Sequence, residues 1–447
     1  MFKRKVYEQL KEWKARYDGA YAALIQGARR VGKSTVAECF AQNEYRSYIK
    51  VDFANLSNSM RDIFNDINDL DIFFLRLQAE TGITLYERES VILLDEIQLF
   101  PKVRQAIKYL VADHRYDYIE TGSLISIKKN VKDIVIPSEE HKIDMYPMDY
   151  EEFLWATGNS NDVTIEKLVE LSKSIGDATN RKLMRDFRIY MAVGGMPQAV
   201  AAYVSRKNFV EIDAIKREII ELYKDDFRKI DRSGLISRMF ESIPSQLALK
   251  KKRFMIASAT GKRKSVKDME RLSDLIDSRT VLICHDVSDP SISLSQTKRD
   301  DAFKLYLADT GLFVTLLFND ETQVNEDIYR KLLSDKLPEN LGYLYENAAA
   351  QIIASSGRKL YYHTWPIPDS THSYEVDFII IHKCKLIPIE IKSSKVVPHK
   401  SLDQFGEKYS NHIYRKWIVS QLDIKKDGDI QCWPLYCLPI LMKNMFA

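Results

Sequence analysis

Four short apolar runs, separated by stretches with helical periodicity, organise the first third of the chain. The runs are AALIQ (22–26), YIKVDF (48–53), VILLDEI (91–97) and YDYIETG (116–122). Continuously apolar strands of this length are typical of parallel sheets that are covered by helices on both faces. The pattern therefore predicts an α/β core over residues 1–150.

The hydrophobic pattern changes after this core. Residues 151–234 are mostly helical in pattern and are interrupted by VGGMP (193–197), because two glycines and a proline end a helix. Residues 235–320 predict small helices followed by a hairpin, which is the order of a winged helix. Beyond a polar stretch after Phe318, which we interpret as a linker, residues 335–447 alternate helix and strand. We therefore predict a core, a helical lid, a winged-helix-like segment and a small C-terminal α/β domain.

Composition excludes several classes of protein. The 447 residues are 45% hydrophobic and 29% charged, which argues against a disordered or fibrous chain. No apolar run reaches the roughly 18 residues of a membrane span, and no apolar region follows the N-terminal charges as in a signal peptide. We expect a cytoplasmic protein with no membrane contact. The five cysteines form no CxxC motif, so they are interpreted as core residues and not as a disulfide framework or zinc site.

A glycine-rich loop lies between the first predicted strand and a helix. Its sequence GARRVGKS matches the pattern GxxxxGK[ST], in which backbone N–H groups surround phosphates at the start of a helix. In this pattern Lys33 reaches the β- and γ-phosphates and Ser34 binds Mg²⁺. The predicted nucleotide-binding residues are Gly27, Ala28, Arg29, Arg30, Val31, Gly32, Lys33 and Ser34.

Two acids end the third apolar strand, and polar residues end the fourth. Asp95 is predicted to hold Mg²⁺, and Glu96 to orient and polarise the attacking water. A buried strand that merely ends in acids is the alternative, which the phosphate loop upstream disfavours. Thr121-Gly122-Ser123 suits a γ-phosphate sensor, but a simple turn has the same composition. The combination predicts an ATP-hydrolysing P-loop enzyme with ATP and Mg²⁺ as cofactors.

Several segments together resemble a bacterial and archaeal group of AAA-type ATPases. They are GARRVGKST, VILLDEIQ, ETGS, MYPMDYEEFLWA, VGGMPQAV and FKLYLADTGL. Members of this group have a winged-helix segment and a C-terminal region called DUF4143. The resemblance implies that Thr35 joins the nucleotide loop and that Ser123 is the catalytic sensor beside Lys33 and Glu96.

One feature departs from this group. Relatives often place a Gly-Arg pair before the P-L/M-x-F/Y-x-E-F stretch, where it would act on a neighbour's nucleotide. This sequence has no arginine from Ile125 to Gly176. Arg181, Arg185 and Arg188 in the lid remain candidates, so the oligomeric state stays open.

Basic residues are concentrated in the middle of the chain. Eight cations lie between Lys250 and Lys267, and no acid follows until Asp268. Within a winged-helix-like segment such residues would contact nucleic-acid phosphates. A solvated loop, or a winged helix that binds only protein, is the alternative. The predicted DNA or RNA contacts are Lys251, Lys252, Arg253, Lys262, Arg263 and Lys264.

The C-terminal domain contains the arrangement D…E-x-K at the ends of apolar strands. Alternation of side chains puts Glu390 and Lys392 on one face, and adjacent strands would bring Asp377 and Glu390 to one Mg²⁺. With Glu346 on the preceding helix, the set resembles a restriction-endonuclease-like fold. A hairpin with charged residues at its solvent end, or a nuclease fold that does not cut, explains the same residues.

Two functions follow from these features. In the first, an ATPase couples its nucleotide state to a C-terminal module that acts on nucleic acid, as a Mg²⁺-dependent nuclease or otherwise. In the second, the chain is a nucleotide-switched scaffold whose inactive nuclease-like domain binds a partner protein.

Overall fold

The computed structural model describes residues 1–122, 138–261, 265–318, 326–334, 342–393 and 399–445. It forms two compact units, of which the first contains residues 1–146 and 277–279. The second unit contains residues 147–276 and 280–447. No helix among the described residues has the length and apolar character needed to cross a membrane.

The first unit is built on a five-stranded parallel sheet with the order β2-β3-β4-β1-β5. All four predicted strands are present, and the predicted α/β core is confirmed. The fifth strand has the polar sequence EHKID and lies at the sheet edge beside β1. The strands are β1 (Ala22–Gln26), β2 (Ser47–Asp52), β3 (Ser90–Asp95), β4 (Asp117–Gly122) and β5 (Glu140–Asp144).

Helices cover this sheet and supply its core. One apolar cluster joins the strand residue Ile92 and its neighbours to four buried phenylalanines, Phe53, Phe64, Phe73 and Phe74. The apolar residues of the sheet make their packing contacts in this cluster. The helices are Lys5–Tyr17, Lys33–Glu44, Asn58–Asn65, Leu70–Thr81 and Pro101–Asp113, with a 3₁₀ turn at Ile97–Leu99.

The second unit begins with a run of helices, as the pattern predicted. Gly194 follows the third helix with φ 82°, a conformation that glycine adopts without strain. The helices are Tyr150–Ala156, Asn161–Leu171, Asp177–Val193, Pro197–Arg206, Phe209–Ile230, Leu235–Glu241, Ile243–Ala248, Ile256–Thr260 and Val266–Asp277. Further along the chain are Thr310–Leu317, Glu326–Leu333, Gly342–Ser355, Lys400–Lys408 and Leu438–Asn444, with 3₁₀ turns at Ser410–His412 and Leu435–Cys437.

Two sheets complete the second unit. The four-stranded sheet has the order β7-β6-β8-β9, and the five-stranded sheet has the order β10-β11-β12-β14-β13. The strands of the first are β6 (Val281–Val287), β7 (Lys298–Leu307), β8 (Leu360–Pro366) and β9 (Ser373–Val376). Those of the second are β10 (Phe378–His382), β11 (Lys385–Ile391), β12 (Lys416–Ser420), β13 (Lys425–Asp427) and β14 (Ile430–Pro434).

Strands from two predicted segments share the four-stranded sheet. The hairpin β6–β7 comes from the winged-helix-like segment, yet β6 pairs in parallel with β8 of the C-terminal segment at Cys284 and Leu360. The apolar run YEVDFIII divides at Asp377, so that β9 and β10 belong to different sheets. Asp377 therefore lies where the two sheets meet.

A helix forms within the polar stretch that was interpreted as a linker. It spans Glu326–Leu333 and buries Tyr329 and Leu332. Its few apolar residues are spaced so that they share one face of a helix. The helix was not predicted because most residues of the stretch are polar. Tyr329 donates a hydrogen bond to the buried Asp213 at 2.6 Å, so this segment is part of the packed unit.

The VGGMP and LADTGL segments are in direct contact. The backbone N–H of Gly195 donates to Asp309 Oδ2 at 2.6 Å. A Cβ atom added to Gly311 would lie 2.4 Å from the carbonyl oxygen of Val193, so the two backbones approach too closely for any side chain. Two motifs that are distant in sequence therefore pack directly against each other.

Candidate nucleotide site and C-terminal acidic cluster

The phosphate loop connects β1 to the helix Lys33–Glu44. A Cβ atom added to Gly27 would lie 2.2 Å from the carbonyl oxygen of Met145, so only glycine fits beside the segment that follows β5. Gly32 has φ 98° and precedes the first helical residue. A glycine-rich loop that opens a helix in this way presents free backbone N–H groups and positive helix charge to an anion.

Lys33 is buried at the mouth of this loop. Its Nζ donates to the carbonyl oxygens of Gly27 at 3.1 Å and Ala28 at 3.0 Å. Burial lowers the pKa of the ammonium, and the neighbouring Glu96 and Asp95 act in the opposite direction. The loop therefore holds a preorganised cation beside two acids.

Ser34, Asp95 and Thr121 form a connected polar group at the carboxyl ends of β3 and β4. Ser34 Oγ donates to Asp95 Oδ1 at 2.7 Å, and Thr121 Oγ1 donates to the same carboxylate oxygen. The backbone N–H of Glu96 donates to Thr121 Oγ1 at 3.4 Å. A hydroxyl and a carboxylate at one point are oxygen ligands of the kind Mg²⁺ prefers, so these residues fit the ion.

Glu96 begins the 3₁₀ turn after β3. Its backbone has φ 55°, in the left-handed region, and its Oε2 accepts a hydrogen bond from Gln98 Nε2. The side chain is thus held by a neighbour two residues away. Its assignment as the residue that orients water stays a prediction.

Arg4 was not found by the motif analysis. It is buried, and its Nη1 donates to the carbonyl oxygen of Val31 at 2.8 Å while its Nη2 donates to that of Tyr146 at 2.7 Å. It therefore ties the phosphate loop to the segment after β5. No sequence pattern distinguishes it from the other N-terminal cations.

Among the other predicted residues of the nucleotide site, Arg29, Arg30 and Thr35 have exposed side chains, and Arg30 has φ 69°. Ser123 lies outside the described residues, so its role as sensor stays a prediction, and Thr121 is the polar residue observed beside the acids.

The basic segment is only partly described, because Lys262, Arg263 and Lys264 lie outside the described residues. The side chains of Lys251, Lys252 and Arg253 are exposed. Tyr362 Oη donates to the Lys252 carbonyl oxygen at 2.6 Å, which fixes this turn on the four-stranded sheet. The turn therefore presents three cations to solvent.

The three lid arginines lie on the helix Asp177–Val193. Arg181 and Arg185 are exposed. Arg188 is buried, and its Nη1 donates to Gln421 Oε1 at 2.8 Å. Arg188 therefore has a packing role within the second unit.

Two of the predicted C-terminal acids, Asp377 and Glu390, lie opposite each other where β10 and β11 pair. The antiparallel register pairs Phe378 with Ile389, which puts Asp377 opposite Glu390. Asp377 Oδ2 accepts the backbone N–H of Ile391 at 2.7 Å, and Lys392 Nζ lies 3.0 Å from Glu390 Oε1. Glu390 Oε2 is buried and has no hydrogen-bond partner among the described residues. Burial raises the pKa of Asp377, and the charge of Glu346 adds to this effect.

Lys304 is the residue of this cluster that sequence analysis missed. It is buried on β7, and its Nζ lies 3.0 Å from Glu346 Oε1 and 2.7 Å from Glu375 Oε1. Tyr306, two residues along the strand, donates to Glu346. Burial by itself lowers the pKa of Lys304, but Glu346 and the other acids outweigh it and raise that pKa well above its usual value.

The charged side chains of the cluster form ion pairs, and the assignment of Asp377 and Glu390 to a Mg²⁺ site stays a prediction. In the part of the chain that the structure describes, no group of three or more His, Cys, Asp or Glu side chains is placed to hold a metal ion. Lys304 pairs with Glu346 and Glu375, Lys392 pairs with Glu390, and Asp377 accepts a backbone N–H.

Three family models match consecutive parts of the chain. An AAA domain covers residues 20–154, a domain of unknown function (DUF8612) covers residues 184–323, and another (DUF4143) covers residues 341–438. The resemblance to AAA-type proteins with a C-terminal DUF4143 domain is therefore confirmed.

Individual similar proteins are distant. An uncharacterised protein, MJ1637, of Methanocaldococcus jannaschii is 28% identical over 251 residues, which are 52% of this chain and 51% of that protein. The match thus spans about half the length of that relative. The Walker-type ATPase paby2304 of Pyrococcus abyssi is 14% identical with a TM-score of 0.41, covering 71% of this chain and 96% of the other. Cdc6p of Pyrobaculum aerophilum is 12% identical with a TM-score of 0.23, covering 75% and 94%.

Proposed function

We propose that this chain, an AAA-type protein with a C-terminal DUF4143 domain, binds ATP with Mg²⁺ and hydrolyses it at the phosphate loop of its first unit. The observation that carries the proposal is the hydrogen-bonded group of Ser34, Asp95 and Thr121 beside the buried Lys33. Cation, hydroxyl and carboxylate converge at one end of a parallel sheet, where P-loop proteins bind phosphates.

Each residue has a separate task in this proposal. Lys33 neutralises charge on the β- and γ-phosphates, and the loop backbone orients the phosphate chain. Ser34 and Asp95 would hold Mg²⁺, which when bound supplies charge neutralisation to the phosphate oxygens. Glu96 accepts a hydrogen bond from the attacking water and aligns it. Thr121 fixes both acids relative to each other through its hydroxyl group.

Two substitutions separate nucleotide binding from hydrolysis. Lys33→Ala removes the cation, so ATP affinity should fall at least about tenfold, measured with a fluorescent ATP analogue. Glu96→Gln keeps the size and polarity of the side chain but not its charge. It should bind ATP like wild type and release phosphate at least about a hundredfold more slowly.

The control is an exposed residue of the first unit outside the predicted site. Lys108→Gln removes a positive charge from the helix Pro101–Asp113 and should change phosphate release by less than about threefold. Normal turnover by Glu96→Gln would show that another residue orients the water. Normal ATP affinity of Lys33→Ala would refute the proposal that ATP binds at this phosphate loop.

For the C-terminal region, the second candidate function is a nucleotide-switched scaffold without nuclease activity. The pairing of its acids favours this alternative, because Lys304 and Lys392 already neutralise carboxylates of the D…E-x-K set. A hydrolytic nuclease site instead requires carboxylates that are free to take a metal ion. Under this proposal the domain binds a protein partner, and the ATPase unit controls that binding.

A cleavage assay distinguishes the scaffold from a nuclease. Labelled single- and double-stranded DNA and RNA are incubated with Mg²⁺ or Mn²⁺, with and without ATP, and Asp377→Asn is tested in parallel. The scaffold proposal expects no cutting while ATP is hydrolysed. Cutting by wild type that Asp377→Asn abolishes would establish the nuclease instead.

A further inference from the structure

The acidic cluster of the second unit draws its charges from several elements. Glu346 lies on the helix Gly342–Ser355, Glu375 on β9, Asp377 between β9 and β10, and Glu390 on β11. These side chains influence one another, since Glu346, Glu375 and Glu390 all raise the pKa of Asp377. Without an internal cation this cluster would attract a divalent ion.

Lys304 provides such a cation from a strand that the D…E-x-K pattern does not include. Its side chain has about 6% exposure, and its ammonium group lies within 3.0 Å of both Glu346 and Glu375. The ammonium also lies 5.2 Å from the centre of the Tyr362 ring, so an aromatic group closes one side. The position of this charge is therefore determined by contacts on three sides.

A positive charge held at this point opposes metal binding. In a buried site two like charges repel each other more strongly than in water, because little solvent screens them. A divalent ion would also have to replace the ammonium at Glu346 and Glu375, whose oxygens already accept its hydrogen bonds.

We infer that Lys304 is a built-in substitute for a metal ion in this cluster, so that its described carboxylates bind no catalytic Mg²⁺ or Mn²⁺. The ammonium joins β7 to the helix Gly342–Ser355 and to β9, as a structural metal joins separate elements. This inference rests on the scaffold function proposed above and gives it a physical cause.

Mn²⁺ binding to the nucleotide-free full chain tests the inference. Lys304→Met keeps the length of the side chain and removes its charge, whereas Lys304→Arg is the matched control that retains the charge. We expect wild type and Lys304→Arg to show no Mn²⁺ binding that depends on Asp377. Lys304→Met should gain a site at least about tenfold tighter than any in wild type. Adding Asp377→Asn to Lys304→Met should remove that gain.

Calorimetry and Mn²⁺ electron paramagnetic resonance report the binding, and circular dichroism reports folding. A folded Lys304→Met protein that gains no Mn²⁺ site would overturn the inference. If Lys304→Met does not fold, the comparison of Mn²⁺ binding by wild type and by Asp377→Asn tests the inference on its own. Mn²⁺ binding that Asp377→Asn removes from wild type refutes the substitute role, and equal binding by the two supports it.

The two proposals fail in different measurements. Absence of ATP hydrolysis, or the lack of any nucleotide-dependent partner, would refute the proposed function without changing the Mn²⁺ titrations. A metal site in wild type that depends on Asp377 would refute the role of Lys304 and leave ATP hydrolysis untouched.

Discussion

Thr121 offers the sharpest test of how the nucleotide site is held together. Its side chain is buried, donates a hydrogen bond to Asp95 Oδ1 and accepts the backbone N–H of Glu96. Valine has nearly the same shape but no hydroxyl group. Thr121→Val therefore removes the link between the two acids while leaving the packing of β4 in place.

The structure sets the size of the effect. A hydrogen bond to a charged group contributes about 1.5–3 kcal/mol, and a buried N–H without a partner costs about 1–3 kcal/mol. If about 2 kcal/mol of this is lost in the transition state, kcat falls about thirtyfold. Affinity for ATP should change by less than about threefold, because Lys33 and the loop backbone are unaltered.

The assay is phosphate release at saturating ATP and Mg²⁺, together with a fluorescence titration of ATP binding. Thr121→Ser is the matched control, because it keeps the hydroxyl group and should retain most of the wild-type kcat. Thermal unfolding of each variant verifies that the fold is intact. A kcat for Thr121→Val within twofold of wild type would refute the view that this hydroxyl positions the acids.

Two further predictions concern charge. Glu120 is fully buried, and its carboxylate oxygens have no hydrogen-bond partner in the part of the chain that the structure describes. Burial, followed by the charge of Glu140, raises the pKa of Glu120 well above the usual value. A raised pKa in the folded state means that stability falls as pH rises above the unfolded value. The advantage of Glu120→Gln in chemical denaturation should therefore grow between pH 5 and pH 8 by up to about 1.4 kcal/mol per pH unit, and a constant advantage would contradict this. Replacing Lys251, Lys252 and Arg253 with glutamine should weaken nucleic-acid binding and reduce the salt slope by up to about 3. Lys425→Gln with Lys426→Gln is the control on another exposed surface, and an unchanged slope would mean that the basic turn contacts no nucleic acid.

The parallel core and the phosphate loop could be predicted because their signals are local in sequence. The phosphate loop and the acids after β3 are contiguous motifs, and continuous apolar runs identify β1 to β4. β5 was missed because a strand at a sheet edge can be polar without losing buried contacts.

Residues that act across long sequence distances could not be found in this way. Lys304 precedes Glu346 by 42 residues and Glu375 by 71. It lies within an apolar strand, and no sequence motif links it to either acid. Arg4 likewise contacts Tyr146 across 142 residues. Motif spacing describes one segment at a time, whereas these side chains act only after the chain has folded back on itself.

The four-stranded sheet limits how this protein can be divided for experiments. β6 lies between β7 and β8, so a fragment that begins at residue 335 would keep β8 and β9 but lose the strands beside them. The released edge of β8 would expose unpaired backbone groups and buried tyrosines, which favours aggregation. Such a fragment would also lack Lys304 and leave Glu346 and Glu375 without their cation. A piece intended to report the behaviour of the C-terminal region should therefore begin before the hairpin, upstream of Val281.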